Sequence, residues 1–232
     1  MLEPRRLAAR TAARRLAHQL GERVGETVGV QVRLETKRSA RTRIEVVTSG
    51  LLLRRLQGDP GLDGVAAVVL DEVHERALDS DLLLALLLDV RGALREDLSL
   101  VAMSATVEAE RFAGLLGGAA VVDVPGALHP VGTVWAPPPV GVLPVDERGV
   151  TPGFLDHVAA TARRALHEQE GDLLVFVPGA REVDRVCRSL SGTGVDVLPL
   201  HGRLEAAAQD DALRERVGRR VVVATAVAES SL

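Results

Sequence analysis

With 232 residues, 47% of them hydrophobic and 26% charged, the chain can bury a core and is long enough for one large domain or two smaller ones, which excludes a disordered or fibrous polypeptide. Its single cysteine, Cys187, excludes an internal disulfide framework and a cysteine-based metal cluster, as suits a reducing cytoplasm. The net charge of −4 hides a split: residues 1–43 carry eleven basic side chains against four acids, +7, which leaves −11 for the remainder.

Such a basic block suits a phosphate backbone or another anionic partner. Lys37 is the only lysine, however, so arginine is preferred everywhere, and a solvated arginine-rich helix accounts for the charge equally well. There is no run of about 18 uncharged apolar residues and no signal-type apolar core at the start, so the sequence predicts a soluble cytoplasmic protein. The arginine-rich, acid-poor start also has transit-peptide composition, against which Glu3 and the helical pattern count.

In chain order, Pro4 can open a helix that runs to about Leu20, with Ala9, Ala13, Leu16 and Leu20 on one side and Gly21 as its stop. Short strand-like runs follow at 28–34, 44–48, 65–70, 98–103 and 120–124. Helical stretches lie between them, starting at Gly50, Asp81 and Glu108. Continuous Val and Leu runs without alternation are what a parallel sheet covered on both faces requires, so the layout is α/β. Residues 125–153 break this pattern, holding seven of the eleven prolines, which rules out a long helix there and marks a boundary. Beyond it, helices at 155–170, 180–190 and 205–217 alternate with strands at 172–177, 195–200 and 219–225. Two α/β units on a proline-rich hinge imply an intervening cleft, a common place for ligands.

The run "VVLDEVHER" ends an apolar strand in Asp71, Glu72, His74, Glu75 and Arg76. The carboxyl ends of parallel strands form the ligand-binding rim, so Asp71 and Glu72 would emerge there together. Adjacent carboxylates repel, so a cation or a reaction should justify them. An isolated "DE" is otherwise explained as favourable acid at a helix N-terminus. His18, His129, His157 and His167 show no paired ligand spacing and read as surface or satisfied residues; Cys187 reads as packing. Aromatics are 2% of the chain with no tyrosine, which argues against a base-stacking platform, and Phe112, Phe154 and Phe176 read as core.

The neighbours of the acid pair point further. "DEVHER" resembles motif II of the DEAH-box helicases, with Val73 in place of the usual small residue, and "MSAT" at 103–106 resembles motif III. In family order, "LEPRRLAAR" at 2–10 is similar to motif Ia, "VVTSG" at 46–50 to motif Ib, "LLVFVPGAREV" at 173–183 to motif IV, "LPLHGRLEAAAQ" at 198–209 to the next block and "VVVATAVAESSL" at 221–232 to motif V. The resemblance covers the whole chain, and its wording is closest to the bacterial HrpB-type members.

That resemblance implies two RecA-like lobes: an ATP-binding lobe at 1–125, a proline-rich linker at 126–152 and a second lobe at 153–232. It implies ATP and Mg²⁺ as cofactors, with Asp71 binding Mg²⁺, Glu72 contacting it through water and acting as general base, and His74 linking the nucleotide site to Ser104, Ala105 and Thr106, which relay nucleotide state. Arg5, Arg6, Thr48, Ser49 and Gly50, with Pro178, Gly179, His201, Gly202 and Thr225, would line an RNA path. Glu229, Ser230 and Ser231 would sit near the nucleotide cleft. The partner would be single-stranded or duplex RNA, with DNA left open, gripped by its backbone without base readout.

The chain departs from the family by lacking G-x-x-x-x-G-K-[ST]: Lys37 is followed by Arg38 and not preceded by glycine. It also stops within motif V, before an arginine-bearing motif VI. The expectation is a fragment of an ATP-dependent RNA helicase, both lobes incomplete and inactive alone. A G-x-G-K-T segment would lie upstream of it. The alternative is a non-catalytic RNA-binding module derived from such a helicase, whose reading frame would end naturally on both sides. A metal-dependent hydrolase using Asp71, Glu72 and His74 lacks a second ligand cluster.

Overall fold

The computed structural model describes residues 1–105, 109–124, 126, 129–214 and 216–229, in two compact units, Met1–Ala127 and Leu128–Leu232. The first unit is built on a six-stranded sheet. Its strands are β1 (Leu2–Glu3), β2 (Val28–Val32), β3 (Glu35–Lys37), β4 (Ile44–Thr48), β5 (Ala67–Leu70) and β6 (Ser99–Ala102), arranged in the order β3-β2-β4-β1-β5-β6. All neighbouring pairs are parallel except β3, which turns back antiparallel on β2 through Arg33 and Leu34. Helices α1 (Arg6–Gln19), α2 (Ser49–Gly58), α3 (Leu78–Ala93) and α4 (Ala109–Leu115) complete the unit.

Successive strand side chains point to opposite faces, and β4 shows it: Val46 packs with Val28, Val30 and Val32 under α1, while Val47 packs into the cluster under the other helices. On the first face α1 presents Ala9, Ala13 and Ala17, all at most 1% exposed, and a stripe of small residues lets the helix sit close on the sheet. Gly21 follows its C-cap at φ +68, where its amide donates to the His18 carbonyl, a left-handed position glycine takes without strain. On the second face Leu52 and Leu56 of α2, Leu83, Leu87 and Val90 of α3 and Phe112 of α4 cover Leu2, Val68, Leu70 and Leu100. The loop entering β5 is held by Arg95, whose guanidinium donates to the carbonyls of Gly61, Leu62 and Val65 and pairs with Asp97 at 2.8 Å.

The second unit opens with a two-stranded antiparallel hairpin, β7 (Val145–Asp146) and β8 (Gly149–Val150). It continues through α5 (Pro152–Glu168), β9 (Leu173–Phe176), α6 (Ala180–Ser189), β10 (Asp196–Leu200), α7 (Ala206–Leu213) and β11 (Arg220–Ala224). Its three-stranded sheet, order β10-β11-β9, is wholly parallel. Thr151 caps α5, its hydroxyl oxygen accepting the Phe154 N–H at 3.2 Å with Pro152 in the first turn. Leu155, Ala159 and Ala162 of α5 and Val183 and Val186 of α6 pack on Val221 and Val223 of β11. Arg219 ties the end of α5 to the sheet by donating to the carbonyls of Leu166, Gln169 and Gly171.

Several expectations need correction. Leu2–Glu3, for which no strand was expected, forms a central strand: two residues suffice because β4 and β5 flank them on both sides. Residues 120–124 form no strand; Val122 and Val124 are 83% and 78% exposed, with no sheet neighbour to pair them. Helix α3 starts at Leu78, three residues before Asp81, and α7 ends at Leu213 rather than 217. The expected helical run at 205–217 ignored that Arg214 has extended φ/ψ. Phe176 is half exposed, because it points to the face of β9 opposite α5 and α6. The proline-rich stretch holds the β7–β8 hairpin, which alternation alone did not signal.

Candidate nucleotide and nucleic-acid site

Strand β5 ends at Leu70, and the chain leaves the sheet through Asp71 and Glu72 into a short 3-10 turn, Val73–Glu75. The backbone there is strained: Glu72 at φ 53 and Arg76 at φ 51 bracket the turn in left-handed conformations that L side chains rarely adopt. Three backbone bonds hold it. The Asp71 amide donates to Leu2, the Met103 amide donates to Leu70, and the Val73 amide donates to Met103, so the loops after β5 and β6 are laced together. The aspartate also accepts the Glu72 amide on Oδ1 at 2.8 Å.

His74 occupies the junction. Its Nδ1 lies 3.3 Å from Glu72 Oε2 and accepts the Ala105 amide at 3.3 Å. One flank is fixed by Arg5, paired with Glu75 at 3.3 Å, and the other by Arg76, which grips Asp81 with two nitrogens. His74 therefore pairs with Glu72, while Glu75 belongs to Arg5.

A third carboxylate stands behind the pair. Glu3, at the end of β1, is 3% exposed, and burial followed by the charge and hydrogen bond of Asp71 pushes its carboxyl up to about 8. Burial and the adjacent Asp71 also raise Glu72 above the ordinary carboxylate range. Glu3 and Glu72, both made harder to ionise by burial and by the charge of Asp71 between them in sequence, are an arrangement a bound cation would relieve. Mg²⁺ is commonly held by one or two protein carboxylates, with water and phosphate oxygens completing its octahedron. Asp71 and Glu72 fit that demand; among the described residues no group of three His, Cys, Asp or Glu forms a self-sufficient metal cage. Glu3 was not singled out in the sequence: only its place at the end of β1, beside β5, shows its relation to Asp71.

Strands β1, β2, β4 and β5 run parallel, so their carboxyl ends share one rim. Along its β1-β4-β2 part lies an open groove of about 730 Å³. Arg6, Thr48 and Gly50 line it as the sequence suggested, joined by Arg33, Arg54, Thr36 and Gln31, which it did not suggest. Arg33 and the 94% exposed Leu34 reach the groove because the β2–β3 turn brings them there, an antiparallel return that a parallel-sheet pattern conceals. Arg5 and Ser49 do not line it. Ser49 is 4% exposed and its hydroxyl meets Ser80 at 3.5 Å, leaving only its backbone for contact. A smaller cavity of about 180 Å³ lies beside α3 and α4, lined by Leu84, Leu88, Phe112 and the Arg76–Asp81 pair.

In the second unit the named residues collect at the carboxyl ends of its strands. Pro178 and Gly179 follow β9, His201 and Gly202 follow β10, and Thr225 follows β11. Gly179 precedes α6 with Glu182 folded back toward it, so an added Cβ would meet that carboxylate oxygen at 2.4 Å. His201 is 8% exposed; its Nδ1 accepts the Arg203 amide and its carbonyl accepts from Gln209. Gly202, next to it, is exposed. Ser104 and Ala105 are exposed beyond β6, and Glu229 is exposed after β11. Thr106, Ser230 and Ser231 lie outside the described residues.

Parallel α/β units, one with an acid pair at the carboxyl rim of its sheet, have the RecA-like architecture. Over its whole length the chain is 46% identical, across 237 residues, to ATP-dependent RNA helicase HrpB of Escherichia coli strain K12, covering 28% of that protein. It is 35% identical over 233 residues to ATP-dependent RNA helicase HrpA of the same organism, covering 99% of this chain and 18% of HrpA. It is also 35% identical over 239 residues to the probable ATP-dependent RNA helicase DHX34 of Homo sapiens, covering 99% of this chain and 21% of that one. The crystal structure of Escherichia coli DEAH/RHA helicase HrpB superimposes with a TM-score of 0.82 at 44% identity, covering 100% of this chain and 29% of that chain. No family model matches. The chain is thus similar over its whole length to part of the DEAH-type helicase HrpB, and spans about 28% of the length of that relative.

Proposed function

We propose that this chain supplies part of the motor of an ATP-dependent RNA helicase, in which hydrolysis at one rim is coupled to a grip on a nucleic-acid backbone along the same rim. The observation that carries this reading is His74 Nδ1, which stands within reach of both Glu72 and the Ala105 amide and can engage either, so that the acid pair and the loop after the neighbouring strand compete for one ring nitrogen. In this reading Asp71 and Glu72 would be the residues that hold Mg²⁺, which would neutralise phosphate charge there. Bound ATP and Mg²⁺ supply the phosphoryl group and its charge neutralisation. Glu72 orients and deprotonates the attacking water, and its raised carboxyl suits proton acceptance nearer neutrality. His74 fixes the acid relative to the loop of Ser104 and Ala105, which relays the state of the site.

The groove of Arg6, Arg33, Arg54, Thr48 and Gly50 would hold the sugar-phosphate backbone; within the second unit, Pro178, Gly179, Gly202 and Thr225 at its own strand ends would offer contacts of the same kind. Arginine, hydroxyl and glycine backbone groups grip phosphates without reading bases, which supports sequence-independent binding. The test is a chimera: the matching stretch of Escherichia coli HrpB is replaced by this chain. The chimera should hydrolyse ATP with RNA stimulation, and Glu72→Gln should lower that turnover at least about 100-fold. A folded chimera without RNA-stimulated turnover, or one indifferent to Glu72→Gln, overturns the reading.

A further inference from the structure

The groove contains one acid, and the structure shows what restrains it. Glu35 opens β3 and lines the groove among Arg6, Arg33 and Arg54. A carboxylate facing a phosphate path repels it and should weaken binding. Its Oε2 lies 3.7 Å from Nη1 of Arg10, and its Oε1 lies 3.1 Å from the ammonium of the half-exposed Lys37. Arg10 sits on α1, one turn beyond Arg6, and is 3% exposed. A side chain so deeply covered cannot touch a nucleic acid, so any influence it has on binding must pass through what it pairs with.

We infer that Arg10 is a positioning residue for nucleic-acid binding: from beneath the sheet rim it neutralises Glu35 and anchors the start of β3, holding the turn that carries Arg33 and Leu34 over the groove. This rests on the groove being the backbone-binding surface proposed above. Burial makes the device robust, because a covered ion pair is screened by salt much less than an exposed one. Lys37 alone is a weaker restraint: its flexible side chain is 56% exposed.

The experiment measures binding of a fluorescent oligouridine of about twelve nucleotides to the 232-residue chain by anisotropy, at about 50 mM and about 200 mM salt. Circular dichroism melts confirm that each variant is folded. Arg10→Gln should weaken binding about three- to tenfold at the lower salt, because Glu35 then keeps only the exposed Lys37 as partner and repels the phosphates more strongly, and less at the higher. Arg10→Lys should stay within about twofold of the parent, since a cation remains. The decisive variant is Arg10→Gln with Glu35→Gln: removing the stranded acid should restore binding, which a purely structural role for Arg10 would not allow. Should Arg10→Gln not fold, Arg10→Met takes its place with the same expectations. If the single variant binds like the parent, or the double variant stays as weak as the single, the inference is overturned while the groove stands. If the parent chain binds no oligouridine at either salt, the groove reading itself fails and takes this inference with it.

Discussion

His74 Nδ1 stands 3.3 Å from Glu72 Oε2 and at the same distance from the Ala105 amide nitrogen. One ring nitrogen cannot serve both neighbours in one state: with a lone pair it accepts the amide and faces the carboxylate unfavourably, whereas with a proton it donates to the carboxylate and loses the amide. The two contacts therefore compete, and a change at Glu72 is felt at Ala105. His74→Phe keeps the ring volume and removes both contacts. The Ala105 amide should then exchange with solvent about fivefold faster, the equivalent of one modest hydrogen bond, while amides within β5 and β6 keep their protection. Hydrogen exchange read by NMR checks this, and an unchanged Ala105 rate would show that the coupling is not made through the ring.

Glu3 makes stability depend on pH in a direction opposite to the usual carboxylate. Its folded carboxyl titrates near 8, above its value in an unfolded chain, so its favourable contribution is complete in acid and is lost as pH rises through that window. Glu3→Gln keeps the shape and removes the charge. In a metal-free buffer the variant should melt higher than the parent near pH 8, by several degrees at about 2–4 °C per kcal/mol, and the difference should close toward pH 5. Melting curves that stay parallel from pH 5 to about 8 would place the Glu3 proton elsewhere.

Gly29 in β2 is required for space rather than for conformation. A Cβ there would meet Thr42 Cγ2 at 2.9 Å and the Lys37 carbonyl at 3.0 Å. The entropic benefit of replacing glycine by alanine, about 0.4–1 kcal/mol, is smaller than the overpacking cost of about 1–3 kcal/mol, so Gly29→Ala should destabilise the first unit. A urea titration should show the midpoint falling without a change in slope.

The cap on α5 should be measurable in the second unit. Thr151→Ala removes the acceptor for the Phe154 amide and should cost about 1 kcal/mol, with Thr151→Ser retaining most of it. Equal stability of the alanine and serine variants would assign the helix start to Pro152 instead.

Much of this architecture could be read from residues in order. Runs rich in Val and Leu marked seven of the described parallel strands, Ala9 and Ala13 marked the packed face of α1 although Leu20, expected beside them, is 53% exposed, and "DEVHER" put an acid pair at a strand end. These signals are local: periodicity, charge sequence and caps are properties of neighbours in the chain. The order of strands, the antiparallel return of β3 and the place of Glu3 behind Asp71 are set by pairings between residues tens of positions apart. Leu2–Glu3 is too short to show a period, yet it becomes a strand because β4 and β5 supply its hydrogen-bond partners from both sides. The buried Arg10, the inward Ser49 and the outward Phe176 follow the same rule, since exposure is decided by what packs against a residue. The sequence alone therefore determined which groups exist for chemistry and at which strand ends they emerge. Tertiary contact decided which of them meet, because burial, charge coupling and groove shape arise only when distant segments close on one another.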